Sequence, residues 1–152
     1  MKKLDFNILG PIGEGIYKEK GSKFIGYAMY VDSTDKVKEI VNAYKKEHHK
    51  ARHVCYAYKI GNDIRANDNG EPSGTAGRPI LRQIEASEKE NLLVVVVRYF
   101  GGTLLGTGGL INAYKEASRE AIQELGILRV SESRSKIYFD YAEREQNHER
   151  SE

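Results

Sequence analysis

The chain has 152 residues, of which 39% are apolar and 30% charged, and its formal net charge is +2. A chain of this length buries about two thirds of its unfolded surface in one domain, so it does not need a disulfide bond to be stable. Its composition excludes disorder along the whole chain. The single Cys55 excludes an intrachain disulfide, and the absence of an apolar stretch long enough for a signal peptide or membrane span leads us to expect a cytoplasmic protein without membrane contacts.

The first part of the chain predicts a hairpin followed by a helix. β-branched and aromatic residues favour strands at 14–20 and 23–31. Four apolar residues then recur at helical spacing: Val37, Ile40, Val41 and Tyr44. They predict an amphipathic helix that starts at Ser33 or Thr34 and runs to about His48.

The remaining elements alternate strand and helix. Alternation of side chains predicts a third strand at 53–60, after which Gly61-Asn62-Asp63 turns the chain back. We expect a short helix at 76–86, and the continuous apolar run at 92–99 is typical of a central strand covered on both faces. A long amphipathic helix follows from 107 to 126, and residues 127–130 fit the start of another strand.

Two glycine-rich segments, 68–81 and 98–110, interrupt these elements. Each combines residues that free or fix the backbone with hydroxyl or charged side chains, which is typical of a contact loop. We therefore predict that the two segments form one binding surface. The residues nominated for it are Arg65, Asp68, Glu71, Ser73, Gly74, Thr75, Arg78, Arg98, Tyr99, Gly101 and Gly102.

The second segment matches neither common nucleotide-binding loop. A phosphate loop requires Lys and then Ser or Thr where this chain has Thr107 and Gly108, and the dinucleotide fingerprint starting at Gly106 requires glycine in place of Ile111. Exposed amides at a helix N-terminus still favour an anion, with Arg98 able to assist. The alternative is that the glycines let the helix pack closely on the strand.

Positive charge is concentrated in one stretch. Between Lys36 and Arg65 there are eight Lys or Arg residues against three Asp or Glu, together with three histidines. This surplus predicts a face that attracts phosphates, and the alternative is an ordinary solvated helix face.

The histidines of this stretch do not predict a metal site. His48 and His49 are adjacent on the expected helix and point in different directions, and the spacing to His53 and Cys55 matches no familiar ligand set. We expect no metal and no cofactor. For Cys55 a buried thiol is favoured over an activated one.

The first segment contains some of the side chains that acid–base catalysis requires, but not all of them. Asp68 or Glu71 is a candidate base and Ser73 a candidate nucleophile, but no histidine or lysine lies in the same loop. Turn capping explains Asp68 more simply. No catalytic residue is therefore nominated.

Longer runs around both segments resemble one known family. Gly-Glu-Pro-Ser-Gly-Thr-Ala-Gly at 70–77 and Arg-Tyr-Phe-Gly-Gly at 98–102 resemble the signature of the IMPACT/YigZ family, also called uncharacterised protein family 0029. Further similar stretches lie at 15–25, 51–58 and 109–114. The resemblance covers about the first 130 residues, and runs of this length are poorly explained by chance.

The resemblance implies an α+β fold, in detail a two-layer α/β sandwich with a mixed sheet of four to five strands and helices on one face. The fold is similar to that of domain IV of elongation factor G and of a small-subunit ribosomal protein domain. The resemblance also implies an IMPACT N-terminal domain at 1–130 and a polar tail at 131–152. Within that tail, 137–141 resembles the first strand of a ferredoxin-like second domain, the rest of which we expect to be missing.

For function, the resemblance implies translational control in eukaryotic members, through competition for an activator of a kinase that phosphorylates an initiation factor. Bacterial members have no settled activity. We interpret the chain as a non-enzymatic binding protein that engages RNA, the ribosome or a protein regulator of translation, without DNA sequence specificity. The alternative is an enzyme acting on a small phosphorylated substrate between the loops, although Asn69 stands where relatives often have an acid.

Overall fold

The computed structural model describes residues 10–128. The expected polar tail and the strand-like segment at 137–141 lie outside these residues, as do residues 129 and 130 of the predicted strand at 127–130. Ile127 itself is the last residue of the final helix rather than part of a strand.

Five strands form one open sheet, and three α-helices pack against it. The sheet order is β1-β2-β5-β3-β4, and every pairing within residues 10–128 is antiparallel. A 3-10 turn at Thr34–Lys36 leads into the first helix. The strands are β1 (Gly13–Glu19), β2 (Ser22–Tyr30), β3 (His53–Ile60), β4 (Asp63–Asn67) and β5 (Leu92–Tyr99), and the helices are α1 (Val37–Glu47), α2 (Gly77–Ser87) and α3 (Gly106–Ile127).

The α+β class and the five-stranded sheet confirm the expected fold, but the structure corrects two details. The sheet is antiparallel rather than mixed, because β5 lies between β2 and β3 and runs opposite to both. The helices also cover both faces of the sheet. Alternate residues of β5 are buried on each side, so an apolar strand of this kind needs a helix layer above and below.

The two faces have separate hydrophobic cores. On one face, Val94 and Val96 of β5 join the apolar stripes of α2 and α3. On the other, Val95 and Val97 join that of α1. We call these the α3 side and the α1 side of the sheet.

Close contact with α3 explains three glycines in the first hairpin. A methyl group built on Gly15 would lie 2.6 Å from the backbone nitrogen of Ala121, and one on Gly26 would lie 2.6 Å from the carbonyl oxygen of Ala117. Gly13 is equally crowded. The helix therefore rests directly on the backbone of β1 and β2.

The two edges of the sheet differ. At the β1 edge, the backbone N–H of Ile16 donates a hydrogen bond to Glu120 Oε1 of α3, over 3.1 Å. At the β4 edge, residues 63–66 are exposed. The strand β4 was not predicted, because a short exposed segment lacks the apolar alternation that marks a strand.

None of the described helices has the length and apolarity needed to cross a bilayer.

Candidate functional site

Both glycine-rich loops lie at the same end of the sheet. Antiparallel pairing sets Arg98, near the end of β5, opposite His53 at the start of β3, and Tyr99 opposite Lys23 near the start of β2. We define the first loop as residues 68–76, which lead into α2, and the second loop as residues 100–105, which lead into α3.

A buried ion pair joins the first loop to the end of β5. Arg98 Nη1 donates hydrogen bonds to both carboxylate oxygens of Glu71, at 2.8 and 3.1 Å. The side chains are only 6% and 2% exposed, respectively. Two parallel contacts of this kind are needed for a buried pair to offset the cost of desolvation.

Two hydroxyl groups complete the surroundings of this pair. Tyr114 of α3 donates its phenolic hydrogen to Glu71 Oε2 over 2.5 Å. Ser22 Oγ accepts from Arg98 Nη2 at 3.4 Å and from the backbone N–H of Gly101 at 3.1 Å. The pair is therefore connected to α3, to β2 and to the second loop.

His53 and Cys55 line the underside of the first loop. His53 Nδ1 lies 2.8 Å from the carbonyl oxygen of Asn69, and because a carbonyl only accepts, Nδ1 carries a proton. The other ring nitrogen lies 3.6 Å from Glu71 Oε1. The Cys55 thiol donates to the carbonyl oxygen of Asp68 at 3.1 Å.

Burial raises the pKa of the Cys55 thiol to about 12. At neutral pH the group is therefore protonated and a poor nucleophile. This confirms the expectation of a buried rather than an activated cysteine.

Asp68 caps the turn that leads into α2. Its carboxylate accepts hydrogen bonds from the backbone N–H groups of Gly74, Ala76 and Gly77, at 2.9, 3.1 and 2.8 Å. Burial opposes ionisation, but these three donors, together with Arg78, outweigh it and hold the pKa of Asp68 below its ordinary value. The capping role predicted from sequence is confirmed.

The second loop is held by backbone contacts. A methyl group on Gly101 would overlap the backbone of Gly21 in the β1–β2 turn. Glycine is therefore required at this position, because two segments of the backbone approach each other closely. Leu104 is 81% exposed. The loop ends at Leu105, which occupies the N-cap of α3 without a side-chain hydrogen bond.

The nominated binding residues fall into three groups by their exposure. Glu71, Thr75 and Arg98 are buried, and the Thr75 hydroxyl donates to the carbonyl oxygen of Pro72. Asp68 and Tyr99 are half-buried. The exposed group consists of Arg65, Ser73, Gly74, Arg78, Gly101 and Gly102.

Tyr99 faces the α1 side, away from the ion pair. Its hydroxyl lies 2.5 Å from His48 Nδ1, and His48 Nε2 lies 3.1 Å from the hydroxyl of Tyr27. Burial lowers the pKa of His48, and Lys23 adds to that effect against the opposing charge of Glu47. These contacts fix the ring of Tyr99 against the C-terminal end of α1.

The sequence reasoning did not nominate Ser22, His53 or Tyr114 for this site. Tyr114 was assigned to the core by its helical spacing, which is correct for its ring but does not reveal the partner of its hydroxyl. A tyrosine in an otherwise aliphatic stripe is the available signal, since a buried phenol needs a hydrogen-bond partner. Within residues 10–128 no group of three or more His, Cys, Asp or Glu side chains could hold a metal ion.

Comparison with known proteins agrees with this architecture. The profile of the Impact N-terminal domain matches residues 20–122, well over half of the chain. The chain belongs to the IMPACT family. The resemblance inferred from its sequence is therefore confirmed.

Individual relatives are similar over the same region. The chain is 43% identical over 110 residues to IMPACT family member YvyE of Bacillus subtilis (strain 168), which covers 70% of this chain and 51% of the relative. It is 40% identical over 111 residues to IMPACT family member YigZ of Escherichia coli (strain K12), covering 70% of this chain and 54% of that protein. The chain thus spans little more than half the length of these relatives.

A solved structure supports the fold. A crystal structure described as that of a hypothetical protein superposes with a TM-score of 0.73 at 37% sequence identity. The match covers 77% of this chain and 59% of the other.

Proposed function

We propose that this IMPACT domain is a non-catalytic binding module of translational control, which engages RNA, the ribosome or a protein regulator through its two loops. Membership of the IMPACT family supports the link to translation, because the resemblance implies that role for eukaryotic members. The partner contacts the exposed groups of both loops together.

The observation that carries the proposal is the buried pair of Glu71 and Arg98. These residues are 27 positions apart in the chain, yet their bond holds the first loop against the strand that leads into the second. Binding energy is lost when a partner must order a mobile loop, so loops that are already fixed bind more tightly. The pair therefore preorganises one surface from two separate segments.

The outward groups suit an anionic or polar partner. Arg78, in the first turn of α2, is an exposed cation next to the first loop. Arg65 of β4 is also exposed, but it pairs with Tyr58 and therefore faces the α1 side, away from the loop. Exposed backbone at Ser73, Gly74 and Gly102 adds hydrogen-bonding groups without bulky side chains. Arginine is well suited to phosphate, and also to a carboxylate on a protein partner.

Two contacts favour binding over catalysis. Asp68 and Glu71 are the candidate bases for an enzyme, and both carboxylates are already engaged: Asp68 by three backbone donors, and Glu71 by Arg98 and Tyr114. A general base must reach the proton of a substrate, and neither group is free to do so in this arrangement.

The proposal is tested by binding of the purified chain to ribosomes and to total RNA, with affinity capture from lysate for protein factors. The measurements are made at about 50 mM and 200 mM salt, because phosphate contacts weaken steeply over that range. Arg65→Ala/Arg78→Ala, the loop variant, removes the two exposed cations nominated for the surface, one of them beside the first loop. Lys38→Ala/Lys89→Ala, which removes the same charge from the start of α1 and from the turn before β5, is the matched control.

We expect the loop variant to lose about ten-fold or more in affinity for its translation partner, while the control binds as the unmodified chain does. Absence of any ribosome, RNA or translation factor at low salt contradicts the proposal. So does an equal loss in both variants, because it would reflect net charge alone.

A further inference from the structure

Resting on the proposed function, we propose that the RNA is single-stranded and crosses the α1 side of the sheet along one row of side chains beside the loops. The row consists of Lys18, Lys23, Tyr99 and Arg52, and we call it the cationic row. Lys18, Lys23 and Tyr99 lie on the opposite side of the sheet from the buried ion pair, and Arg52 lies at the end of the sheet, where the ring of Phe100 also approaches Arg98.

The strand register places Lys18, Lys23 and Tyr99 side by side, because Lys18 of β1 is paired with Lys23 of β2, and Lys23 is paired with Tyr99 of β5. Cross-strand partners face the same side at a spacing of about 4.8 Å, so these three residues span about 10 Å. The pairing of β3 with β5 ends at His53 and Arg98, and Arg52, the residue before β3, donates its backbone N–H to the carbonyl oxygen of Arg98 at 2.8 Å. Arg52 therefore lies next to Tyr99 at the same end of the sheet.

The row is accessible and its cations are available. Lys18, Lys23 and Arg52 are exposed, and Tyr99 is half-buried. Among residues 10–128, none of the three cations forms an ion pair.

The pairing of Lys18 with Lys23 carries a cost that the fold alone does not require. Like charges placed directly opposite on neighbouring strands are destabilising, whereas an acid at either position would form a favourable pair. A bound phosphate between the two ammonium groups removes this repulsion. The two lysines thus lower the stability of the free protein but favour the binding of an anion between them.

The surroundings strengthen the positive field. The last turn of α1 and the turn that follows it, residues 45–52, contain four Lys or Arg residues and one acid, Glu47. Glu14, four residues before Lys18 on the same face of β1, is the other acid near the row. Lysines outnumber acids at this end of the α1 side, which attracts a polyanion.

Aromatic rings distinguish RNA from an acidic peptide. The Arg52 guanidinium lies over the ring of Phe100, 4.4 Å from its centre, and both Phe100 and Tyr99 are half-exposed. Bases of single-stranded RNA stack on aromatic and guanidinium planes, while their phosphates contact lysines. An acidic peptide would use the cations but would have no need of the rings.

The test measures binding of a labelled short oligouridine to the full chain across a salt series, with a duplex RNA of equal length for comparison. Lys18→Glu is the decisive variant. We expect at least ten-fold weaker binding and a salt slope reduced by about 0.7 or more, the value for one phosphate contact on a single strand. The same variant should raise the melting temperature, because it replaces a like-charge pair with an ion pair.

Two controls isolate the row. Lys38→Glu makes the same charge change at the other end of the sheet and should leave affinity within about two-fold. Tyr99→Phe keeps the ring and should bind RNA as the unmodified chain does, whereas Tyr99→Ala should bind about ten-fold more weakly.

The outcomes separate this inference from the proposed function. If RNA binds and depends on Arg65 and Arg78 but not on Lys18, the inference is overturned while the proposed function stands. If the unmodified chain binds no RNA at low salt, the inference is overturned and only a protein partner remains. Tighter binding to the duplex, or equal competition by polyglutamate, also overturns it.

Discussion

The two loops have similar composition but are held in different ways. The first loop is fixed by side chains: Asp68 caps the turn into α2, and the buried Glu71 binds Arg98 and Tyr114. The second loop is fixed by its backbone, where Gly101 lies against Gly21 and donates to Ser22. One loop depends on the chemistry of particular side chains, and the other depends on the absence of a side chain.

This difference divides the surface into a rigid part and an adaptable part. A loop held by a buried charge pair has one allowed position, because displacement would leave a charge unpaired. In the second loop, Phe100 and Leu105 at the two ends make contacts, whereas Leu104 points almost entirely into solvent. The first loop therefore determines geometry, and the second can vary in what it presents.

Among these variants, removal of Glu71 should have the largest effect on the free energy of unfolding. Glu71→Ala leaves Arg98 buried without a counter-charge, which should lower the free energy of unfolding by about 3–5 kcal/mol. Urea denaturation measures this loss of stability. Glu71→Gln keeps one hydrogen-bond acceptor and should therefore destabilise the protein less than Glu71→Ala does. The double change Glu71→Leu/Arg98→Met should recover much of the loss. A cost below about 1 kcal/mol for Glu71→Ala would show that the pair does not hold the loop.

A single methyl group should break the second loop. Gly101→Ala forces overlap with the backbone of Gly21 and should cost about 1–3 kcal/mol. Gly108→Ala, in the first turn of α3, meets nothing within 4 Å and should be neutral or stabilising by up to about 1 kcal/mol. Thermal denaturation compares the two variants, and effects of the same sign would refute a backbone contact as the holding interaction.

Neutralising Asp68 should have a smaller, pH-dependent effect. In Asp68→Asn the amide nitrogen meets the N–H of Gly74, so the variant should be about 1–2 kcal/mol less stable at neutral pH. The folded-state pKa of Asp68 is depressed, so its contribution is present above the ordinary value of 3.8 and is lost as pH falls through the lower folded value. The gap between the two proteins should close below pH 3.8 in urea titrations. A constant gap would exclude ionisation as its source.

Leu104→Ser should have the smallest effect. A residue this exposed contributes little to the folded state, so stability should remain within about 0.5 kcal/mol of the unmodified chain. The comparison is made by denaturation alongside Leu105→Ser, whose half-buried side chain packs against the core on the α3 side. A large loss for Leu104 would mean that the second loop is held by its side chains after all.

Much of the fold was predictable because its main elements have clear periodicity. The helical spacing in α1 and α3 and the apolar run of β5 identified those elements, and repeated matches identified the family. The strand β4 was missed because Ile64 and Ala66 are too few to show alternation in an exposed edge. The apolar run of β5 correctly indicated cover on both faces of the sheet, whereas the expectation of helices on one face came from the family resemblance.

The sequence singled out some of the residues that the structure brings together, but not their pairings. The sequence nominated Glu71 and Arg98 separately, as a candidate base and an anion-binding group, whereas in the structure each is the partner of the other. That pairing depends on the order of strands in the sheet, which brings residues 27 positions apart into contact. Local composition contains no information about such a contact.

The unequal edges of the sheet limit how copies of this domain could associate. Glu120 occupies an outward N–H of β1, whereas β4 keeps an exposed backbone that another strand could extend. A strand that added to the β1 edge would have to displace Glu120 from the N–H of Ile16, whereas no such bond is made by the exposed residues 63–66 of β4 within the part of the chain that the structure describes.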